Sequence, residues 1–430
     1  MSRSTLPEWA DWHPSAPYTV GIEEEVMLLD PRDWALAQRI DDVLPRLSPG
    51  LAAHVTPETH GAAIELATSP NDDVAGAAQQ LADLRASLAG ELAGCGLRVA
   101  SAGTHPFAMW TETQVSSGAR YQLVYGSMRE LARREPTFAL HVHIGVADPD
   151  AAITLHNRLR AHLPLLLALS ANSPFWQGRD SGLASARTPL FQAFPRVGIP
   201  RAFTSYGDYA ETVDLFLRCQ AIPEPTFLWW DVRPQARFGT VEVRVMDAQA
   251  TVVQTGALVA LVQSIAHLEL EEGYHAERLI DAGEILAENR FLAARDGMDA
   301  HLIDPVAERR VPARTQLATL LESVRPHAAD LGCEDALEPI AALGREAGAA
   351  QQLKLAREHE WRGGGASASG LSGRGERERL AGLVECLADS FVDGSVSSSL
   401  VDCSVAGPLL VRSVPDAKEN GVRSAAAGRT

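Results

Sequence analysis

Four short segments of this chain alternate apolar and ionisable residues with a period of two, and no other feature restricts its fold as tightly. In YTVGIEEEVMLLDP, residues 18–31, an extended strand puts Val20, Ile22, Glu24, Val26 and Leu28 on one face. Gly21, Glu23, Glu25, Met27 and Leu29 fall on the other, so Glu23 and Glu25 stand side by side while Glu24 points away from them. FALHVHIGV, residues 138–146, sets His141 and His143 opposite Leu140, Val142 and Ile144. TVEVRVMD, residues 240–247, sets Glu242 and Arg244 opposite Val241, Val243 and Val245. In AAIELAT, residues 62–68, Glu65 interrupts an otherwise apolar strand, with Glu58 a few residues upstream as a secondary candidate because its spacing to Glu65 is loose.

Each segment alone has a bland explanation. Acids occur on solvated edge strands, a histidine pair is readily satisfied by backbone groups, and a Glu beside an Arg is most simply an ion pair. Four strands that break their apolar pattern in the same manner are better explained by one shared active-site face. Two ionised carboxylates held side by side and out of water repel each other at a cost of several kcal/mol, so a cation is their natural partner. Carboxylates mixed with a few imidazoles favour hard divalent ions, Mg²⁺ or Mn²⁺, over zinc. The Arg244 fork suits a phosphate or carboxylate. No HExxH, GxxxxGK[ST] or well-placed GxGxxG occurs, which argues against a zincin protease and against Walker-type or Rossmann nucleotide sites.

The formal charge of -17 disfavours nucleic acid or an anionic membrane as partner, since either needs a basic face. Small-molecule chemistry is the expectation. The first residues carry no apolar signal-like region, and the longest apolar run, residues 163–171, is far shorter than the roughly 20 residues of a membrane span. A cytoplasmic location is therefore expected. Cys95, Cys219, Cys333, Cys386 and Cys403 are odd in number and widely scattered, as reduced thiols are.

Strands are expected at about 18–29, 62–68, 97–103, 138–146, 226–232 and 239–247, and helices at about 73–93, 149–170, 251–271, 313–330 and 334–347. This is a mixed α+β class, with a helical layer packed on one sheet. The expected organisation is an arm at 1–14, one catalytic domain at 15–360 and a loose Gly-, Ser- and Arg-rich tail at 361–430 enclosing a short helix near 377–391. Exposed sheet edges are compatible with a homodimer.

TVGIEEEVMLLDP, GTHPFAMW, HVHIGV, LPLLLALSANSPFWQGRDSGLASARTP, WWDVRP, GTVEVRVMDAQ and ENRFLAARDGMDAHLID together resemble the carboxylate–amine ligases of the second glutamate–cysteine ligase group, relatives of glutamine synthetase. The resemblance spans about 15–360. It implies a largely antiparallel sheet forming a funnel-shaped site with helices behind it. It also implies ATP-dependent ligation, in which a glutamate carboxylate takes the γ-phosphoryl group and the acyl phosphate is captured by an amine, cysteine by default. By that likeness Glu23, Glu25 and Glu65 are metal ligands, Glu242 and His141 share a second ion, and His143 and Arg244 lie beside the ATP phosphates. Arg244 and Glu65 are then the catalytic candidates, and Arg179 and Arg187 are candidates to hold a substrate carboxylate. Trp229 and Trp230 are expected in the core. TFAL before HVHIGV departs from the family pattern, which leaves the choice of substrate open. The rival classes are a ligase-fold binding protein without turnover, a ligase for another amine, and a metal-dependent hydrolase.

Overall fold

The computed structural model describes residues 6–134, 136–362 and 373–393. Seven strands make one antiparallel sheet: β1 (Val20–Leu29), β2 (Val55–Pro57), β3 (Ala63–Ala67), β4 (Arg98–Ala100), β5 (Ala139–Gly145), β6 (Val232–Gln235) and β7 (Thr240–Asp247). Their order is β6-β7-β5-β1-β3-β2, with β4 paired to the end of β1 at Met27–Leu29. The longer helices are α1 (Val74–Gly94), α2 (Ala119–Met128), α3 (Pro149–Ser170), α4 (Tyr206–Arg218), α5 (Val252–Glu271), α6 (Gly283–Asp296), α7 (Ala313–Asp330), α8 (Gly348–Arg362) and α9 (Gly373–Asp393).

The alternation in the sequence sets the two faces of the sheet. Val20, Ile22, Val26, Leu28, Ile64, Leu66, Leu140, Val142, Ile144, Val241, Val243 and Val245 form one buried layer with apolar residues of α1, α3 and α5. Removing that much apolar surface from water, at roughly 25 cal/mol per Å², is what holds the helices against the sheet. Asp73 caps α1 by accepting from the Gly76 amide, and Thr251 with Gln254 forms a capping box at the start of α5. Helix α5 is apolar enough to resemble a membrane span, yet most of it is buried in this core.

Two glycines permit close approaches on the sheet. Gly239 turns β6 into β7 with φ +61°, and a Cβ there would lie 2.1 Å from the His13 carbonyl oxygen. A Cβ on Gly145 would meet Ala16 O at 2.3 Å. The amino-terminal segment runs over the sheet at these points.

The stretch from 361 onward holds more structure than its composition suggested. Helix α9 runs over Gly373–Asp393 and buries Leu380, Leu383, Val384, Leu387, Ala388 and Phe391, a stripe at helical spacing. It packs on α1, β4 and α8, and Arg98 reaches Asp389 at 2.7 Å. The remainder of that expected tail, 363–372 and 394–430, lies outside the described residues, as does Cys403. The other four cysteines are free thiols.

Candidate active site

Cross-strand partners in an antiparallel pair share a face, so the register decides which side chains meet. Glu23 lies opposite His141, Glu25 opposite Glu65, His143 opposite Glu242, and Glu242 opposite Arg233. Glu23, Glu25, Glu65, His141, His143, Glu242 and Arg244 are thus gathered on the face turned away from α1, α3 and α5. They form the floor of a cavity of about 1030 Å³, apart from His143, which lies beside Glu23. Helix α2 contributes Arg120 and Tyr121 to the walls, and Phe191, Phe194 and Trp229 give the cavity an aromatic side.

The contacts are close. His141 Nδ1 lies 3.2 Å from Glu23 and 3.8 Å from Glu242, while its Nε2 lies 3.8 Å from Glu25. The Ala139 amide donates to Glu25 at 2.7 Å, and the Thr56 hydroxyl donates to Glu65 at 3.0 Å. Glu242 accepts from Arg233 at 2.9 Å, from Gln235 at 2.5 Å and from Arg244. A bulge in β7 between Val243 and Met246 falls opposite this cluster. Bulges of this kind turn a side chain out of the regular pleat, and here Arg244 can contact both Glu242 and His141.

The cluster contains more acid than its arginines can balance, and the acids divide accordingly. Burial and then the neighbouring Glu58 carboxylate push Glu25 up to about 7. Burial followed by Glu23, Glu58 and Glu25 raises Glu65 well above the ordinary carboxylate range. Burial raises Glu58 as well. Burial also works against ionised Glu23 and Glu242, but it is overcome at Glu23 by His143 and His141, and at Glu242 by Arg233 and Arg244; both carboxyls are held low. His141 is pushed down to about 4 by burial and then by Arg244. Three carboxyls that resist ionisation beside two that are fixed as anions describe a site that still requires positive charge.

Two triads have the donors to supply an ion-binding shell: Glu23, His141 and Glu242, and Glu25, Glu65 and His141, each with one ligand atom per residue within 4.8 Å of the others. Both are dominated by carboxylate oxygen, the donor type that hard divalent ions take. His143 Nδ1 is tied to the Thr240 hydroxyl at 2.9 Å, whereas its buried Nε2 lies 3.3 Å from Glu23 without an aligned hydrogen bond. These residues fit a divalent cation.

Several expectations from the sequence need revision. The two candidate carboxylate-binding arginines do not converge: Arg179 is exposed on a two-residue hairpin strand and lines neither large cavity nor side pocket. Arg187 is buried, donates to the Arg244 and Val245 carbonyls at 3.2 and 3.1 Å and lies 3.6 Å from Asp247. Its visible work is to brace the β7 bulge, although its Nε lacks a partner and it borders a small pocket shared with Glu25. Trp229 packs against a buried aromatic cluster, as expected of a core residue, but it is half-buried and also lines the cavity, with the Arg196 guanidinium 5.2 Å from its ring centroid. Trp230 is likewise half-buried, packed on Phe203. Glu58 joins the cluster in full, because the short β2 ends beside Glu65 and presents the next residue to the cavity. Arg233 was missed: Pro234 next to it weakens a strand reading, yet β6 is an edge strand, where proline is tolerated.

Among solved structures, the chain resembles a glutamate–cysteine ligase of Francisella tularensis crystallised with AMP, with a TM-score of 0.63 over 90% of this chain and 91% of that one at 14% identity. It also resembles a bifunctional glutathione synthetase of Pasteurella multocida, with a TM-score of 0.60 over 87% of this chain and 53% of the other at 12% identity. At such identities the likeness establishes the fold. Residues 19–369 match the glutamate–cysteine ligase family 2, and the chain belongs to that family. A Rubrobacter xylanophilus relative named "Putative glutamate--cysteine ligase 2-1" is 41% identical over 74% of this chain and 85% of its own length. A Sorangium cellulosum relative named "Putative glutamate--cysteine ligase 2" is 38% identical over 75% and 87%. Family membership makes the chain a carboxylate–amine ligase.

Proposed function

We propose that this ligase couples ATP cleavage to the joining of glutamate, through its γ-carboxylate, to an amine, with cysteine as the default acceptor and an acyl phosphate between the two steps. The observation that carries the reading is the front face of the sheet, where two acid triads lie within reach of Arg244 on the floor of a cavity roomy enough for a nucleotide and two amino acids. Glu23, His141 and Glu242, together with Glu25, Glu65 and His141, would hold Mg²⁺ or Mn²⁺, which neutralises charge on the phosphate oxygens when bound. Arg244 sets a fixed cation beside the position where phosphoryl charge develops, and Arg233 holds the shared Glu242 carboxylate in place. Phe191, Phe194 and Trp229 would set an apolar wall beside the acyl phosphate, limiting the water that competes with the amine for it.

Phosphate release from ATP decides the matter. Release should require Mg²⁺, glutamate and an amine together, and a panel of amines tested with glutamate fixed should single out cysteine. Equal release with no amino acid present would overturn the reading. Tight ATP binding without turnover on any amine would instead favour a binding protein of the same fold, and turnover without nucleotide a hydrolase.

The Glu25 carboxyl gives this reading a pH signature. Its folded-state pKa of about 7 is raised above the ordinary 4.5, so the folded chain binds this proton more tightly than the unfolded one. The metal-free protein should therefore lose stability as pH rises from about 4.5 to about 7 through this group. Mg²⁺ competes for the same carboxylate, so its stabilising effect should grow across that window and level off above it. Melting curves with and without Mg²⁺ at about pH 5, 7 and 8 test this; a Mg²⁺ shift independent of pH would remove Glu25 from the ion's ligands.

A further inference from the structure

A second group of metal-ligating side chains lies among the helices behind the sheet, away from the cavity. His162 on α3, Glu269 near the end of α5 and His275 in the loop that follows each offer one ligand atom within 4.8 Å of the others. We propose that His162, Glu269 and His275 form a binding site for zinc or a similar late first-row divalent ion, with the ion fastening the 273–276 loop to α3 and α5.

The Glu269 side chain is fully buried. Its Oε2 is occupied by the Tyr274 amide at 3.0 Å and by Arg158 at 3.3 Å. That leaves Oε1 aimed at His162 Nε2, 2.6 Å away. The carboxylate is thus oriented from behind, as ligands of zinc commonly are. Gly273, with φ +70°, lets the chain double back after α5, and this return brings the His275 ring to 4.4 Å from the His162 ring, centroid to centroid. The His275 ring nitrogens make no hydrogen bond to any described residue. A buried His162–Glu269 ion pair would explain two of these residues by itself, but it gives no reason for a third ligand side chain to be folded onto them.

Two imidazoles and one carboxylate with a fourth position open to water is a ligand set zinc accepts, unlike the oxygen-rich sets in the cavity. Zinc bonds of about 2.0–2.1 Å in a tetrahedron place ligand atoms about 3.3 Å apart. The His162–Glu269 contact, now 2.6 Å, would therefore open by about 0.7 Å as the ion replaces the shared proton, and the His275 ligand atom, within 4.8 Å of the other two, would close in by up to about 1.5 Å. Arg158 is no obstacle, because Glu269 and Glu277, at 3.3 and 3.0 Å, already balance its charge.

The test uses the full chain, stripped with a chelator and kept in excess Mg²⁺ so that the carboxylate sites are filled. Co²⁺ serves as the spectroscopic probe and Zn²⁺ as the competitor. Wild type should bind one equivalent of Co²⁺ with the intense visible absorption of a four-coordinate ion, and zinc should displace it. Even partners behind a ligand are worth about 10–100-fold in affinity, so His275→Ala should weaken zinc binding at least about 100-fold while Mg²⁺-dependent phosphate release is unchanged. Glu25→Gln, by contrast, should leave the Co²⁺ spectrum intact. The proposal is overturned if wild type shows no such absorption, if His275→Ala binds zinc as wild type does, or if Glu25→Gln abolishes the signal, which would place the ion in the cavity. Wild-type absorption decides the first point even if a variant fails to fold.

Discussion

Replacing Glu65 by Gln should make the metal-free protein more heat-stable and at the same time abolish ATP-dependent ligation. Glu65 is half-buried on the cavity floor with Glu25 directly across the strand pair, and burial together with Glu23, Glu58 and Glu25 raises its pKa. An acid with a raised folded-state pKa costs the fold nothing below the ordinary 4.5; the cost grows as pH rises above that value and is complete once pH has passed the folded pKa. Gln keeps the shape and can still accept from the Thr56 hydroxyl, but it removes the repulsion. The expected gain is on the order of 1–2 kcal/mol at about pH 8, shrinking towards zero near pH 4. A neutral amide is a poor ligand for a hard divalent ion, so activity at fixed Mg²⁺ should fall at least about 100-fold, with part of the loss recovered at high Mg²⁺. Melting temperature and phosphate release measured on one preparation test both halves. A variant that is less stable than wild type, or one that is fully active, would show that Glu65 does not share the repulsive site.

Glu242 would not behave in this way, and the difference shows how far the sequence could be read. Alternation in 240–247 is enough to put Glu242 and Arg244 on the polar face, and it suggests that either acid, Glu25 or Glu242, could be neutralised without harm to the fold. What it omits is Arg233, brought across from β6 to the same carboxylate. Glu242→Gln would leave two buried guanidinium groups without their anion, so lost activity there would be confounded by lost stability. The side-chain period is local and survives in the sequence, whereas register is a relation between strands far apart in the chain. The pairings Glu23 with His141 and Glu25 with Glu65 could be expected only as shared-face membership, and Glu58 entered the site because β2, three residues long, is too short to show alternation at all. The structural partners of Arg187 were illegible for a related reason. Its turn-rich surroundings say that a loop is present, but its partners are the backbone carbonyls of a bulge that no residue pattern announces. The Gly-, Ser- and Arg-rich composition ahead of Leu380 hides the start of α9, although its stripe from Leu380 to Phe391 is regular.

Replacing Glu24 by Ala should unfold much of the population under mild denaturant while leaving the folded fraction's chemistry intact. The middle acid of the run faces the helices, where the Arg85 guanidinium grips it with two hydrogen bonds, at 2.5 and 2.8 Å, and both side chains are fully buried. Thr255 adds a third at 3.2 Å. Removing one member of a buried pair strands the other, and the cost is about 3–5 kcal/mol. That is a large part of the 5–15 kcal/mol by which domains are usually stable. Arg85 also donates to the Gln249, Ala250 and Phe391 carbonyls and lies 4.5 Å from the Phe391 ring centroid, so it links α1, the start of α5 and α9. An apolar double replacement, Glu24→Met with Arg85→Leu, should consequently recover only part of the loss: it removes the stranded charge but leaves those three carbonyls without their donor. Urea denaturation read by fluorescence, set against phosphate release per folded molecule, separates the two effects. Activity that collapses in Glu24→Ala at unchanged stability would put all three glutamates in the chemistry, whereas the expected pattern assigns the outer two to the cation and the middle one to the core.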